Sequence, residues 1–168
     1  MKMTSAQANK LLNRLKDDLN YLLTKEAQSR VFNAAVGEDI EDVRPEYSYI
    51  NTQAAIDALE KKIRKVKHAI NMFNTTTKLP EQGITIDEAL ILIPQLTKKR
   101  NKLNEMKSRL PRTRVNNFRG SNIIDYEIVN YNISQVEEDY DAVVEQLSEL
   151  QTALDTVNNT ETFELDIY

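Results

Sequence analysis

Residues 52–74, TQAAIDALEKKIRKVKHAINMFN, carry an apolar side chain at every third or fourth position. A mean spacing of 3.5 residues is typical of a long amphipathic helix that packs in a coiled coil or a helix bundle. Residues 136–158, VEEDYDAVVEQLSELQTALDTVN, repeat the pattern half a chain length further on. The apolar stripes coincide position for position: Ile56, Leu59, Ile63, Val66, Ile70 and Phe73 against Tyr140, Val143, Leu147, Leu150, Leu154 and Val157.

The same shift, by half of the 168-residue chain, brings further residues into register. Aligning residues 1–84 with residues 85–168 without gaps gives 13 identities, about twice the number that random pairing would give. We therefore predict a single domain, residues 1–168, built from pseudo-repeats 1–84 and 85–168. Each pseudo-repeat has the order helix, arm, helix.

Four long helices are predicted, over about residues 4–27, 52–74 and 85–109 and from residue 134 onward. Each begins at a residue type that caps helix N-termini. The predicted caps are Thr4, Asn51, Thr85 and Ser134. The stripe of the third helix extends to Leu110, and Ile86, Leu90 and Ile93 offer it a second apolar face that a partner protomer would cover.

The connections inside the two halves are long for a helix bundle. In the second half, residues 112–118 and 123–133 are rich in β-forming side chains and flank a turn at 119–122, which predicts a β-hairpin arm. The first-half connection, residues 29–50, is interpreted as a degenerate arm or an ordered loop. The predicted fold class is mainly α with small β arms, an internally duplicated bundle of four long antiparallel helices.

Composition excludes several kinds of chemistry. The chain has no Cys and a single His, His68, which lies on a basic helix face and is interpreted as a solvated surface residue. The three glycines cannot supply a phosphate-binding loop or a nucleophile elbow. The carboxylates from Glu137 to Glu145 could hold Mg²⁺ or Ca²⁺, but a solvated helix face is the simpler interpretation. We expect no catalytic residue, no metal site and no cofactor.

The first residues lack an apolar signal-peptide core, and the longest apolar run, residues 89–93, is too short to cross a bilayer. These features predict a cytoplasmic protein. The net charge of −4 is unevenly spread: residues 61–119 carry 15 basic and 4 acidic groups, whereas residues 120–168 carry 12 acidic groups and no Lys or Arg. Either the basic block binds nucleic acid or an anionic membrane, or the two blocks neutralise each other within the molecule or across a subunit interface. Their similar size favours neutralisation.

The arm arginines are the best candidates for a ligand surface. They are Arg109, Arg112, Arg114 and Arg119, interleaved with an aromatic side chain and two asparagines. Alternatively, they pair with the acidic fourth helix of the same or a neighbouring protomer. Arg30 and Asn33 are equivalent to Arg114 and Asn117 across the two halves, which suggests a repeated structural hydrogen-bonding role.

Three stretches resemble the bacterial septicolysin family of helical proteins. They are residues 33–36 (NAAV), residues 70–76 and 84–90 (INMFNTT and ITIDEAL), and the tail from Val136 to Leu165. The resemblance covers nearly the whole chain but consists of apolar and small polar residues. It implies a helical fold with short β elements and homo-oligomers, without an established activity.

The leading functional hypothesis is a non-enzymatic, self-associating structural or interaction protein, and we expect a homo-oligomer. An anion or nucleic-acid binder using the basic segment 97–119 is the second hypothesis, and a membrane-active, septicolysin-like protein is the third. We favour neither nucleic acid nor membrane as the partner, and no small-molecule substrate is evident.

Overall fold

The computed structural model describes residues 1–115 and 124–167, and its backbone confirms a mainly α protein with small β elements. The helices are α1 (Ser5–Ser29), α2 (Ile40–Val43), α3 (Tyr49–Thr76), α4 (Ile86–Lys107) and α5 (Ile133–Thr160). The strands are β1 (Lys2–Thr4), β2 (Arg112–Val115), β3 (Asp125–Ile128) and β4 (Thr162–Glu164). All four predicted long helices are present. The prediction missed the short helix α2 and the strands β1 and β4.

Two helices begin where their capping boxes predict. The Thr4 hydroxyl accepts from the Gln7 amide at 3.2 Å, while the Gln7 side chain accepts from the Thr4 amide at 3.0 Å. Thr85 and Glu88 form the same reciprocal pair at the start of α4. The hydrogen bonds from the Thr85 amide and hydroxyl lower the pKa of the Glu88 carboxyl. Two donors at each helix end are thereby satisfied.

The other two predicted caps are wrong. Helix α3 begins at Tyr49, and its N-cap is Ser48, whose hydroxyl accepts from the Asn51 amide. Helix α5 begins at Ile133, one residue before the predicted Ser134 cap, and the Asn132 side chain accepts from the Ser134 amide at 3.0 Å. Both true caps are good capping residues. They escaped prediction because the apolar stripe starts several residues later.

The predicted stripes are buried in the structure. Every stripe residue of α3 and α5 is buried or half-buried. On α4 the stripe stops earlier than predicted: α4 ends at Lys107, and Leu110, beyond it, is 67 % exposed. The predicted second apolar face of α4 is also wrong in part, because Ile86 is 1 % exposed within the protomer and cannot meet a partner.

The chain divides into two compact units, the first formed by Met1–Thr77 together with the described residues from Thr156 onward, and the second by Lys78–Asp155. The units do not coincide with the predicted pseudo-repeats, because the C-terminal residues complete the first unit. The single domain and its internal duplication stay predictions.

In the first unit, α1 and α3 form an antiparallel hairpin closed by the two ends of the chain. Strand β1 pairs antiparallel with β4, with Met3 opposite Phe163. The Leu165 amide donates to the Met1 carbonyl at 2.8 Å, and the Met1 nitrogen donates to the Leu165 carbonyl at 2.8 Å. Phe163 stacks on Phe73 of α3 with ring centroids 4.8 Å apart. The resulting core contains Met3, Ala8, Leu12, Leu15, Val66, Ile70 and Leu165.

In the second unit, Leu79 is buried in the turn before α4. Its amide donates to the Ile84 carbonyl at 2.8 Å, and Gly83 completes the turn with φ +67°, a conformation that glycine adopts without steric cost. Strands β2 and β3 form the predicted arm as an antiparallel pair, with Arg114 opposite Tyr126. Strand β3 is shorter than predicted. The rest of the predicted first strand, residues 116–118, and the predicted turn 119–122 lie outside the described residues. The first-half connection, residues 30–48, contains α2 and no strand.

Leu165 tests whether the C-terminal segment supports the first unit. Leu165→Ala removes a side chain that is 3 % exposed, and we expect the free energy of unfolding to fall by about 2–5 kcal/mol. The measurement is urea denaturation followed by circular dichroism. Leu23→Ala on α1, where the side chain is 42 % exposed, is the matched control, with an expected loss below about 1 kcal/mol. Equal losses for the two variants would contradict this role of the C-terminal segment.

Candidate functional site

Arg109, just beyond α4, is held by two carboxylates. Its guanidinium donates to Glu105 of α4 at 3.4 Å and forms a close ion pair with Glu127 of β3. The hydrogen bond to Glu105 and the charges of both carboxylates raise the pKa of Arg109. We expected the arm arginines either to bind a ligand or to pair with the last helix. Arg109 joins the arm to the end of α4, while ligand binding and pairing with α5 of the same or a neighbouring protomer stay predictions.

The remaining described arginines of the arm lie on one face of the β2–β3 ribbon. Directly opposed residues of an antiparallel pair point to the same face, and so do residues two apart on one strand. The ribbon face therefore consists of Arg112, Arg114, Tyr126 and Ile128. The Arg112 guanidinium lies 3.5 Å from the centroid of the Tyr126 ring, as expected for a diagonal cross-strand pair. All four residues are exposed.

The opposite face of the ribbon borders a cleft of about 300 Å³ next to the end of α4. Arg109, Leu110, Thr113 and Glu127 are among its lining residues. Because Arg109 and Glu127 already neutralise each other, this cleft offers a ligand no unpaired charge from that pair.

Two contacts fix the beginning of α5 to the end of α4. The Tyr131 hydroxyl donates to the Met106 carbonyl at 2.8 Å, satisfying one of the last carbonyls of the helix. The Lys107 ammonium lies 3.6 Å from the centroid of the Tyr140 ring. Tyr140 is half-buried, in line with its predicted place in the stripe.

The first connection is fixed to the end of α1 in a comparable way. The Glu26 carboxylate accepts hydrogen bonds from the Tyr47 hydroxyl at 3.1 Å and from the side-chain amide of Gln53 at 2.7 Å. Partial burial of the ring and this hydrogen bond raise the pKa of the Tyr47 phenol. Beside this network lies a polar cleft of about 330 Å³, whose lining includes Lys25, Glu26 and Ser29.

The two anchors occupy equivalent positions in sequence. Tyr47 and Tyr131 coincide when the two halves of the chain are aligned, and each donates to the last turns of the long helix that precedes it. The two clefts also lie at matching places: Lys25, Glu26 and Ser29 line one, and their counterparts in the second half, Arg109, Leu110 and Thr113, line the other. The sequence aligns the two tyrosines but does not predict the hydrogen bonds that they make.

The arms carry an unusual share of exposed apolar side chains. Ten of the 17 exposed large hydrophobic residues in the described chain fall in residues 31–50, 110–115 and 124–128. Val31, Val36 and Ile40 lie in the first arm, and Tyr49 and Ile50 lie beside it in the first turn of α3. Those of the second arm are Leu110, Val115, Ile124, Tyr126 and Ile128. The other seven are spread over the rest of the described chain.

The other predicted site residues are less informative. Arg30 is the C-cap of α1 in αR conformation, whereas Arg114 lies in strand β2. Arg30, Asn33 and Arg114 are exposed, and the structure gives their side chains no hydrogen bond to a described residue. Asn117 and Arg119 lie outside the described residues. The shared hydrogen-bonding role therefore stays a prediction.

The acidic face of α5 does not gather into a cation site. Within residues 1–115 and 124–167, no three His, Asp or Glu side chains converge closely enough to hold a metal ion. None of the helices in this part of the chain has the length and apolar character needed to cross a bilayer.

The hydrogen bond from Tyr47 to Glu26 makes the first unit sensitive to alkaline pH. A phenol whose pKa is raised on folding stabilises the fold below its unfolded pKa of about 10, and this contribution is lost as the pH rises through the folded value. We expect Tyr47→Phe to be less stable than wild type at about pH 8, with a difference that shrinks above about pH 10. Tyr21→Phe, on the exposed surface of α1, should follow wild type at both pH values in the same urea titrations. A constant difference for Tyr47→Phe across this range would refute the coupling.

Comparison with known proteins identifies a protein of similar fold but indicates no activity. No protein-family model and no curated protein matches the chain. A solved structure, the crystal structure of a functionally unknown conserved protein from Corynebacterium diphtheriae, matches with a TM-score of 0.62 and 16 % sequence identity. The match covers 98 % of this chain and 100 % of the other. At this identity the similarity establishes a shared fold.

Proposed function

We propose that this protein is a non-enzymatic helical protein that associates with copies of itself and acts through the surfaces of its two arms. The observation that carries the proposal is the concentration of exposed apolar side chains on residues 31–50 and on the described residues of the second arm. Contiguous exposed apolar surface on a folded protein marks sites of protein contact. The arms are therefore the surfaces that association would cover.

The anchoring of the arms supports this function. Tyr47 and Tyr131 tie each arm to a helix end, and the ion pair between Arg109 and Glu127 adds a second tie on the second arm. Ordering these segments before contact reduces the entropy lost on association. An isolated two-stranded ribbon is only marginally stable in water, so a partner packed on the second arm would also stabilise the ribbon itself.

Nucleic-acid binding through the basic segment 97–119 is less well supported. Tight binding to a phosphate backbone needs several unpaired cations on one surface. Arg109 is neutralised by Glu105 and Glu127 and is therefore not one of these unpaired cations. The membrane-active hypothesis and the relation to septicolysin stay predictions.

An enzymatic function has little support in the two described clefts. Their volumes of about 330 and about 300 Å³ are at the small end for ligand sites. Three carboxylates line the clefts, Glu26, Glu46 and Glu127, and two of them, Glu26 and Glu127, are already engaged by hydrogen bonds from the protein itself. A carboxylate in such a network is a structural group rather than a free general base.

Self-association can be tested by the mass in solution. We expect light scattering behind a sizing column to give a discrete multiple of 19.4 kDa at micromolar concentration. Leu110→Ser with Ile128→Ser, which removes two apolar side chains that are 67 % and 68 % exposed, should shift the mass toward the monomer because it weakens the contact surface.

The matched control is Leu90→Ser with Ile91→Ser on α4. It removes two exposed apolar side chains outside the arms, at 46 % and 57 % exposure, and should leave the mass unchanged. A wild-type protein that stays monomeric at every concentration would disprove self-association. If only the control variant lost association, the contact surface would be assigned to α4 instead of the arms.

A further inference from the structure

We propose that the ribbon face of the second arm, formed by Arg112, Arg114, Tyr126 and Ile128, docks on the outward acidic stripe of α5 in a second copy of the chain. The stripe consists of Glu138, Asp141, Glu145 and Glu149. This inference rests on the self-association proposed above and names the two surfaces that meet. Both surfaces belong to the second compact unit.

The acidic stripe lies on the side of α5 opposite its buried seam. At 100° per residue, the four carboxylates cluster about 180° from Val143, Leu147, Leu150 and Leu154, which are buried. All four carboxylates are exposed, and the structure gives none of them a hydrogen bond or ion pair with a described residue. Like charges at this spacing repel each other, which destabilises α5 in a single protomer. A cationic surface packed against the stripe would reduce this repulsion.

The spacing of charges on the two surfaces agrees. Arg112 and Arg114 are two residues apart on one face of β2, which separates their Cα atoms by about 6.8 Å. Residues four apart on one face of a helix are separated by about 6 Å along the axis. The two guanidinium groups can therefore meet Asp141 and Glu145, or Glu145 and Glu149, in succession. Arginine is suited to such contacts because its planar fork matches a carboxylate.

Apolar side chains flank the charges on both surfaces. Tyr126 and Ile128 share the ribbon face with the arginines, and Ile128 is 68 % exposed. On α5, Val144 is 39 % exposed and borders Asp141 on the helix surface. The stacking of Arg112 on Tyr126 holds one guanidinium in place before contact, which lowers the entropy lost on docking.

A competing cationic surface lies on α3. Lys61, Arg64 and Lys67 are exposed there, and the alignment of the two halves places Lys61 on Glu145. The ribbon is favoured because it combines charge with exposed apolar side chains, whereas exposed charge pairs alone contribute little to association. The α3 surface supplies a control with the same number of reversed charges.

The test uses two charge-reversal variants of the full chain. One carries Arg112→Glu with Arg114→Glu, and the other carries Asp141→Lys with Glu145→Lys. Each alone should weaken self-association by about tenfold or more in sedimentation equilibrium, because like charges then face each other. A 1:1 mixture should restore association, since every contact in the mixed complex joins opposite charges. Lys61→Glu with Arg64→Glu should leave association close to wild type.

Circular dichroism on each variant verifies folding, and all substituted side chains are exposed. If wild type associates and both the ribbon variant and the α5 variant associate equally well, the docking inference is wrong while self-association stands. Loss of association in the α3 control, with the ribbon variant unaffected, would overturn the inference in favour of α3. An associating ribbon variant that has lost binding to a labelled single-stranded oligonucleotide would assign the ribbon to nucleic acid instead. A monomeric wild type would remove both proposals.

Discussion

The rest of the structure depends on the apolar stripes of the long helices, which must be covered by another apolar surface. A stripe with a mean spacing of 3.5 residues buries a narrow band along 28 residues of α3 and of α5 and leaves most of each helix in water. Such helices gain most of their stability from packing against another apolar surface. In the first unit this surface comes from α1 and from the C-terminal segment, whose Phe163 and Leu165 cover apolar residues that two helices alone leave open.

The arms follow a different physical rule. The described strands of the second arm bury none of their side chains, and the first arm contains no strand. Hydrogen bonds and an ion pair at the helix ends fix the position of the arms instead. A helix end is a suitable place for this because its last carbonyls lack partners within the helix. The Tyr131 hydroxyl uses one of these carbonyls directly, whereas the Tyr47 hydroxyl reaches the Glu26 side chain. The arms can thus be ordered while their apolar side chains remain exposed.

Sequence patterns predicted the helices well because burial repeats with the period of the helix. The stripes of α3 and α5 and the capping boxes at Thr4 and Thr85 depend on residues three or four apart, which a local pattern can show. The pairing of β1 with β4 could not be predicted in the same way, since it joins opposite ends of the chain through two very short strands. The site was predicted in part. The arginines of the arm were found by composition, but the capture of Arg109 by Glu105 and Glu127 depends on the register of β2 and β3.

The pairing of β1 with β4 has a consequence for the order of folding. Residues 78–155 form a compact unit from one continuous segment, so most of their contacts are available as soon as that segment has been synthesised. The first unit needs Thr162–Glu164 and Leu165, which the ribosome adds only after the whole of the second unit. Closing so large a loop is entropically costly and slow compared with local contacts. The apolar stripes of the N-terminal helices therefore stay incompletely covered until residues 162–165 have been added. A chaperone would have the most apolar surface to bind during this interval.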